Sequence, residues 1–335
     1  MVEQRLEAKN HLLDWERDRV HESLDQIHES EVAAETTKEK INDLSSAWHL
    51  LPRCLRIQHG VSRLGDYPVG AGGLAEFWRG KIMDQPGTPV VLNVSGLYGS
   101  DLKRFAGDTI REALVWGQLD HKNIVRFKGG SLLDEQFCLA SPWMENGDLV
   151  MFLKKNPNVD TELQYDLTFG VASGLAYLHG EGIAHSDIKG HNIMIDSENN
   201  ACITDFGLAH IASVISDTEQ FKGTISWLAP ELLNPGPRVE LSQSSDMYAY
   251  ACVCYEIYTK EKPFPNDPDI KIMLSVVEGK RPERVRDAFP DPMWDLMSHC
   301  WAEAPAERPT APKVVEYLKE NKLTCINFKN GSKVR

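Results

Sequence analysis

The chain has 335 residues, 42% of them hydrophobic, which is enough to bury one large or two medium cores. A formal net charge of -13 argues against a nucleic-acid-binding or membrane-surface protein, because phosphate polymers and anionic lipids demand clustered Lys and Arg. Seven scattered cysteines, an odd number set in apolar segments, argue against a disulfide framework; with no signal peptide and no membrane-length apolar run, a cytoplasmic protein is expected.

Residues 1–48 are rich in Glu, Lys, His and Asp and contain neither Gly nor Pro. Leu6, Leu13, Val20, Ile27, Ala34 and Ile41 recur every seven residues, but the companion positions Lys9, Glu16, Ser23 and Ser30 are polar. This predicts a helical extension, mostly solvated and lying on the following domain, with weak self-association or a partner helix as the alternative. Strand patterns follow at Val61–Val69, Ala75–Ile82 and Pro89–Ser95, the first two separated by a glycine-rich turn. Asp101–Leu119 reads as a helix burying Phe105, Ile110, Leu114 and Leu119, and Ile124–Gly129 and Gln136–Ala140 as two more strands. Beyond a hinge at Pro142–Gly147 the chain turns helical: Leu163–Leu178 is amphipathic, and Asp246–Tyr258 is apolar or aromatic nearly throughout, so it reads as a central buried helix. The expected fold class is α+β, a small lobe of sheet plus one helix followed by a larger, mainly helical lobe, with Asp-rich loops at the seam.

One segment gathers chemistry-bearing residues at short spacing: His185-Ser186-Asp187, Lys189, Asn192, then Asp205-Phe206-Gly207. It supplies one carboxylate able to orient a hydroxyl, and an amide and a second carboxylate that are hard oxygen donors suited to Mg2+. Before it stand Gly70-Ala71-Gly72 and Glu112; after it stand Ala229-Pro230-Glu231, Asp246 and Arg308. In that order, over roughly residues 61–322, the chain resembles the eukaryotic protein kinase domain. Cys300-Trp301, Glu307-Arg308-Pro309 and Glu112-Ala113-Leu114 are similar to the tyrosine-kinase-like branch, as found in fungal kinase-like proteins, and Lys189 is similar to its serine/threonine type. Residues 323–335 read as a tail.

The resemblance implies ATP and Mg2+ as cofactors and a protein substrate or signalling partner. It implies Asp187 as the base toward the substrate hydroxyl, Lys189 beside the transferring phosphate, and Asn192 and Asp205 as magnesium ligands. Gly70, Gly72, Ala75, Phe77, Val91, Asn93, Glu112, Met144 and Met194 fall on the nucleotide-contacting positions. His185 and Phe206 are implied as packing residues, with Trp116 on the helix above. Glu231 and Arg308 are expected to form a buried ion pair, and Asp246 to bind backbone amides of the catalytic loop. Cys252 and Cys254 read as core thiols, having no second pair at metal-ligand spacing.

The departures from the family pattern concentrate in the small lobe. The third glycine is Ala75, and the phosphate-pairing lysine is Asn93, with no Lys or Arg between Ile82 and Lys103 to replace it. Losing one transition-state donor costs on the order of 10²–10³ in rate, which predicts a slow enzyme. Phe77 and Val91 are larger than the valine and alanine the family places above adenine, and a misfit in a packed site costs roughly 1–3 kcal/mol. Either the Phe77 ring partly excludes the base, or it turns outward and the pocket is merely tighter. Ser186 replaces the arginine that pairs with a phosphorylated activation segment, which predicts weak dependence on phosphorylation there, where Ser213, Ser216, Thr218 and Thr224 lie. The function expected is a serine/threonine-type protein kinase of reduced rate; the alternatives are a pseudokinase serving as an interaction module and an ATP-binding switch without transfer.

Overall fold

In a computed structural model the chain divides into two compact units, Met1–Asp120 with Val125–Trp143, and His121–Ile124 with Met144–Arg335. The structure describes residues 51–72, 75–85, 87–95, 102–134, 136–206, 214–215, 224–233 and 239–328. The helical extension expected over residues 1–48, the residues Gly207, Ser213, Ser216 and Thr218, and the side chains of Ala75 and Phe105 lie outside the described residues.

The first unit contains β1 (Val61–Arg63), β2 (Gly70–Gly72), β3 (Ala75–Ile82), β4 (Pro89–Ser95), helix α1 (Leu102–Trp116), β5 (Gly129–Leu133) and β6 (Gln136–Pro142). The strands form one antiparallel sheet in the order β1-β3-β4-β6-β5, with β2 also paired to β3. Side chains alternate between the faces of a strand, so Val90, Leu92 and Val94 all reach one face. They pack there with Trp78, Ile82, Leu133, Cys138 and Ala140. Burying each of the larger side chains contributes roughly 1.5–3 kcal/mol.

Two strand expectations need correction. The run Val61–Val69 is not one strand: it breaks after Arg63, where Gly65 takes a positive φ of 96° and Pro68 offers no N–H to a ladder. Ile124–Gly129 is not a strand either. The Val125 carbonyl accepts the Trp116 indole N–H at 2.6 Å, Ile124 makes only an isolated bridge to Ile203, and regular pairing starts at Gly129 opposite Ala140. A side chain captured a carbonyl that the strand pattern had assigned to a neighbouring strand.

The second unit contains α2 (Leu149–Lys155), α3 (Thr161–Gly180), β7 (Ile193–Ile195), β8 (Ala201–Ile203), β9 (Val214–Ile215), α4 (Pro230–Leu233), β10 (Val239–Glu240), α5 (Gln243–Thr259), α6 (Asp269–Val277), α7 (Asp291–Cys300) and α8 (Ala311–Ile326). Asp148 and Asp160 begin α2 and α3 as N-caps, accepting the amides of Met151 at 2.7 Å and Leu163 at 2.8 Å. Helix α5 starts at a Ser242–Ser245 capping box and is buried from Ser245 to Tyr258, as its all-round apolar sequence predicts. Cys252 and Cys254 are buried free thiols on it. Sheet with one helix in one unit and predominantly helix in the other is the expected α+β architecture. Among the described residues no helix is long and apolar enough to cross a membrane.

Candidate active site

In the second unit the loop between α3 and β7 is tied to the N-terminal turn of α5. Asp246 accepts the Ser186 amide on Oδ1 at 2.8 Å, and on Oδ2 the His185 amide at 2.8 Å and the His179 imidazole at 2.9 Å. These bonds hold Ser186 at a φ of 70°, a left-handed conformation costing a non-glycine residue on the order of 1–3 kcal/mol. The turn aims the next residue, Asp187. His185 is fully buried: its Nε2 donates to the Thr204 carbonyl at 3.0 Å, and its Nδ1 accepts the Asp187 amide at 3.2 Å. A carbonyl can only accept and an amide N–H only donate, so the tautomer is fixed with hydrogen on Nε2. The ring stands edge-on to Phe206 at 5.4 Å between centroids, the packing role expected of both.

Around Asp187 the polar groups converge. Lys189 Nζ donates to Asp187 Oδ2 at 2.6 Å and to Thr224 Oγ1 at 3.2 Å. Asn192 Nδ2 donates to the same Oδ2 and to the Asp187 carbonyl, both at 2.8 Å. Both of these bonds use the amide nitrogen of Asn192, so its oxygen is left for a cation. Asp205, at a φ of 67°, is the second residue here in a left-handed backbone conformation. Strain of this kind concentrates where a side chain must be aimed. An amide oxygen and a carboxylate form a donor set that fits Mg2+. Farther along, Arg308 engages Glu231 through two bonds of 2.7 Å and also donates to the Ser244 and Ala302 carbonyls at 2.9 Å.

The first unit carries most of the expected nucleotide-contacting residues. Phe77 on β3 stands directly opposite Asn93 on β4, and Asn93 in turn opposite Leu139 on β6. Val91, two residues before Asn93, shares that face, the one opposite the Trp78–Leu92 core. Gly70 pairs with Phe77, and a Cβ added to Gly70 would meet the Phe77 ring at 3.8 Å. Asn93 Oδ1 is buried with no hydrogen-bond partner among the described residues. Glu112 lies on α1, half-buried. Gly72 and Ala75 pair at the tip of the β2–β3 hairpin. In the second unit, Met144 and Met194 are half-buried, and Met194 bridges to Asp148.

Sequence reasoning passed over Glu256, His191 and Asp148, and gave Thr224 no role beyond its place in the activation segment. Glu256 is the one charged side chain in the run Met247–Ile257, and that isolation was a legible signal. It accepts the Gly190 amide at 3.0 Å and the Trp227 indole at 2.9 Å, bonding the Asp187 loop and Trp227 through one carboxylate. Burial pushes its pKa up to about 7, against the opposing pull of the Trp227 and Gly190 bonds. His191 Nδ1 lies 3.4 Å from Asp148 Oδ2. The bond to Asp148 raises the His191 pKa despite burial. Burial alone would raise Asp148, but bonds from His191 and the Met151 amide outweigh it and lower its pKa.

The family model for protein tyrosine and serine/threonine kinases matches residues 66–318. The chain is 27% identical over 254 residues to the serine/threonine-protein kinase STY17 of Arabidopsis thaliana, covering 75% of this chain and 43% of that protein. It is 30% identical over 264 residues to the probable serine/threonine-protein kinase drkC of Dictyostelium discoideum, covering 75% of this chain and 34% of the other. Over 212 residues, 62% of this chain and 53% of the other, it is 28% identical to the serine/threonine/tyrosine-protein kinase HT1 of Arabidopsis thaliana. The chain thus spans about half or less of the length of these curated relatives. With the family model covering most of the chain, and the Asp187 loop, Asp205, Asp246 and the Glu231–Arg308 pair in the family's order, the chain belongs to the protein tyrosine and serine/threonine kinase family.

Proposed function

We propose that this chain is a cytoplasmic protein serine/threonine kinase of the tyrosine-kinase-like branch, transferring the γ-phosphoryl group of ATP, bound with Mg2+, to a Ser or Thr hydroxyl of a protein substrate at a reduced rate. The kinase domain is placed at residues 61–322, between an extension at 1–48 and a tail at 323–335. The observation that carries the reading is the Asp187 cluster. Both described side-chain bonds to the Asp187 carboxylate fall on Oδ2, which leaves Oδ1 to accept the proton of a substrate hydroxyl. Lys189, already within 2.6 Å of that carboxylate, offsets charge on the group in transfer. Asn192 and Asp205 would hold Mg2+, which supplies neutralisation of the phosphate oxygens. Serine/threonine specificity is supported by Lys189 and by the names of the relatives. The reduced rate follows from Asn93, which puts a neutral amide where the family has a cation.

A second reading, a pseudokinase acting as a signalling scaffold, is favoured by one observation: Asn93, opposite Phe77 in the sheet, is not merely neutral but carries a buried Oδ1 without a partner among the described residues. Incubation with labelled ATP, Mg2+ and a general protein substrate separates the two. The unaltered chain is expected to incorporate label, and Asp187→Asn to lose on the order of 10²–10⁴ of that rate. Equal incorporation by both proteins would sink the enzyme reading and leave the scaffold.

A further inference from the structure

Ser186 sits under two strains at once. Its backbone is left-handed, at a φ of 70°, and its hydroxyl is buried with no hydrogen-bond partner among the described residues. The residue is 7% exposed, so bulk solvent does not serve the oxygen. A buried polar group left unsatisfied destabilises a fold by more than its bond would have contributed, and such groups in native structures call for a partner. Beside Ser186 lies a cavity of about 10 Å³, walled by the Asp187 loop, Thr224, Trp227 and the N-terminal turn of α5. That is room for about one water.

Besides Asp187, three groups on that wall can still bond. The Ser186 hydroxyl can give one bond and take two. Thr224 Oγ1 takes a bond from Lys189 Nζ at 3.2 Å. An ammonium has no lone pair to receive a hydrogen, so the Thr224 hydroxyl keeps its own O–H to give. Of the described bonds, Asp246 Oδ1 takes only the Ser186 amide at 2.8 Å, while Oδ2 takes both the His185 amide and His179. Oδ1 therefore has a lone pair in hand. Two other polar residues on the wall are already engaged. The Trp227 indole donates to Glu256, and Ser245 Oγ gives a bond to the Ser242 carbonyl at 2.7 Å and takes one from its amide at 3.2 Å. The remaining wall residues are apolar. A water that accepts from Thr224 and donates to Asp246 Oδ1 and Ser186 Oγ makes three bonds, the usual number for a buried water.

We infer that this cavity is a binding site for one structural water, which bridges Ser186 Oγ, Thr224 Oγ1 and Asp246 Oδ1 and so ties Thr224, the second partner of Lys189, to the Asp187 loop and to α5. The inference stands on packing and bonding alone, and failure of the kinase reading would leave it untouched. A crystal structure of the full chain, at a resolution that shows waters, tests the site directly: one density peak is expected about 3 Å from all three oxygens. Chemical denaturation of the unaltered chain, Ser186→Ala, Thr224→Val and the double variant tests what the water does. Alanine keeps the Cβ and the backbone strain and removes the oxygen alone, so the sign of the change decides. Loss of a bridged hydroxyl is expected to raise the unfolding equilibrium constant about five-fold, whereas loss of an unsatisfied one would lower it. Beside Thr224→Val, where the bridge is already broken, the effect of Ser186→Ala is expected to fall under about two-fold. Should Thr224→Val fail to fold, the density and the sign at Ser186 decide by themselves. No density in the cavity, a Ser186→Ala chain at least as stable as the unaltered one, or an undiminished effect beside Thr224→Val overturns the inference.

Discussion

The Asp187 loop and the β3–β4 face differ in how their polar side chains are partnered. Around Asp187 the charged groups are matched one to another, Asp246 with two amides and His179, Asp187 with Lys189 and Asn192, Glu256 with Gly190 and Trp227, and only the Ser186 hydroxyl of the loop is buried without a partner among the described residues. On the β3–β4 face the Asn93 Oδ1 is buried without a partner among the described residues. On the function proposed above, the residues that would aim and accept a proton are in place together with the Lys189 cation, while position 93 holds a neutral amide. A site can lose a cation and keep its geometry, because geometry is set by bonds to backbone and charge by a single side chain.

If the second unit is the intact half, removing the fully buried Arg308 side chain from its pair with Glu231 should be a costly change. The Arg308 side chain is fully buried and makes two bonds to Glu231 and two short ones to carbonyls. Arg308→Met is expected to lower unfolding free energy by about 3–5 kcal/mol in chemical denaturation, since Glu231 and both carbonyls lose their partner. A loss under about 1 kcal/mol would show that this network adds little, and the contrast between the halves would weaken.

Glu256 gives a pH-dependent version of the same test. Its carboxyl keeps a proton up to about pH 7 when folded, against an ordinary value of 4.5. Between those values the native state binds the extra proton, so stability falls as pH rises from about 4.5 to 7 and is flat above. Glu256→Gln should remove that slope, gaining on the order of 2–3 kcal/mol relative to the unaltered chain between pH 5 and pH 8. Melting temperatures measured across that range check it, and parallel curves would mean the carboxylate is charged throughout.

Legibility in the sequence followed the range of the interaction. Strands Ala75–Ile82 and Pro89–Ser95 were readable to the residue, since alternation over seven or eight positions is a local signal. The buried helix around Asp246 was readable for the same reason, as its sequence is apolar on every side. The strand misplaced at Ile124–Gly129 turned on one indole reaching one carbonyl nine residues away, which no periodicity records. In the site, Asp187, Lys189 and Asn192 sit within six residues and were legible as a cluster. Thr224 joins Lys189 across 35 residues of sequence and Glu256 joins Gly190 across 66, so only the folded chain brings them in. The unpartnered Asn93 oxygen was likewise invisible, because absence of a partner is a fact of packing and not of residue type.

The smallest expected effect bears most directly on why the two regions differ. Phe77 and Asn93 share one rung of the sheet, so substitutions at the two positions are close enough to couple. Asn93→Lys alone should raise kcat/KM for ATP by about 10², the lower end of what one lost transition-state donor costs. Phe77→Val alone should raise it about ten-fold, by relieving a misfit of roughly 1–2 kcal/mol. If the ring holds the position-93 side chain away from phosphate, the double variant will exceed the product of the two gains. A product matched within about two-fold would mean the ring and the amide act separately. Gain from Phe77→Val with none from Asn93→Lys would make steric exclusion the fault of the β3–β4 face, and charge would then have nothing to do with its divergence from the Asp187 loop.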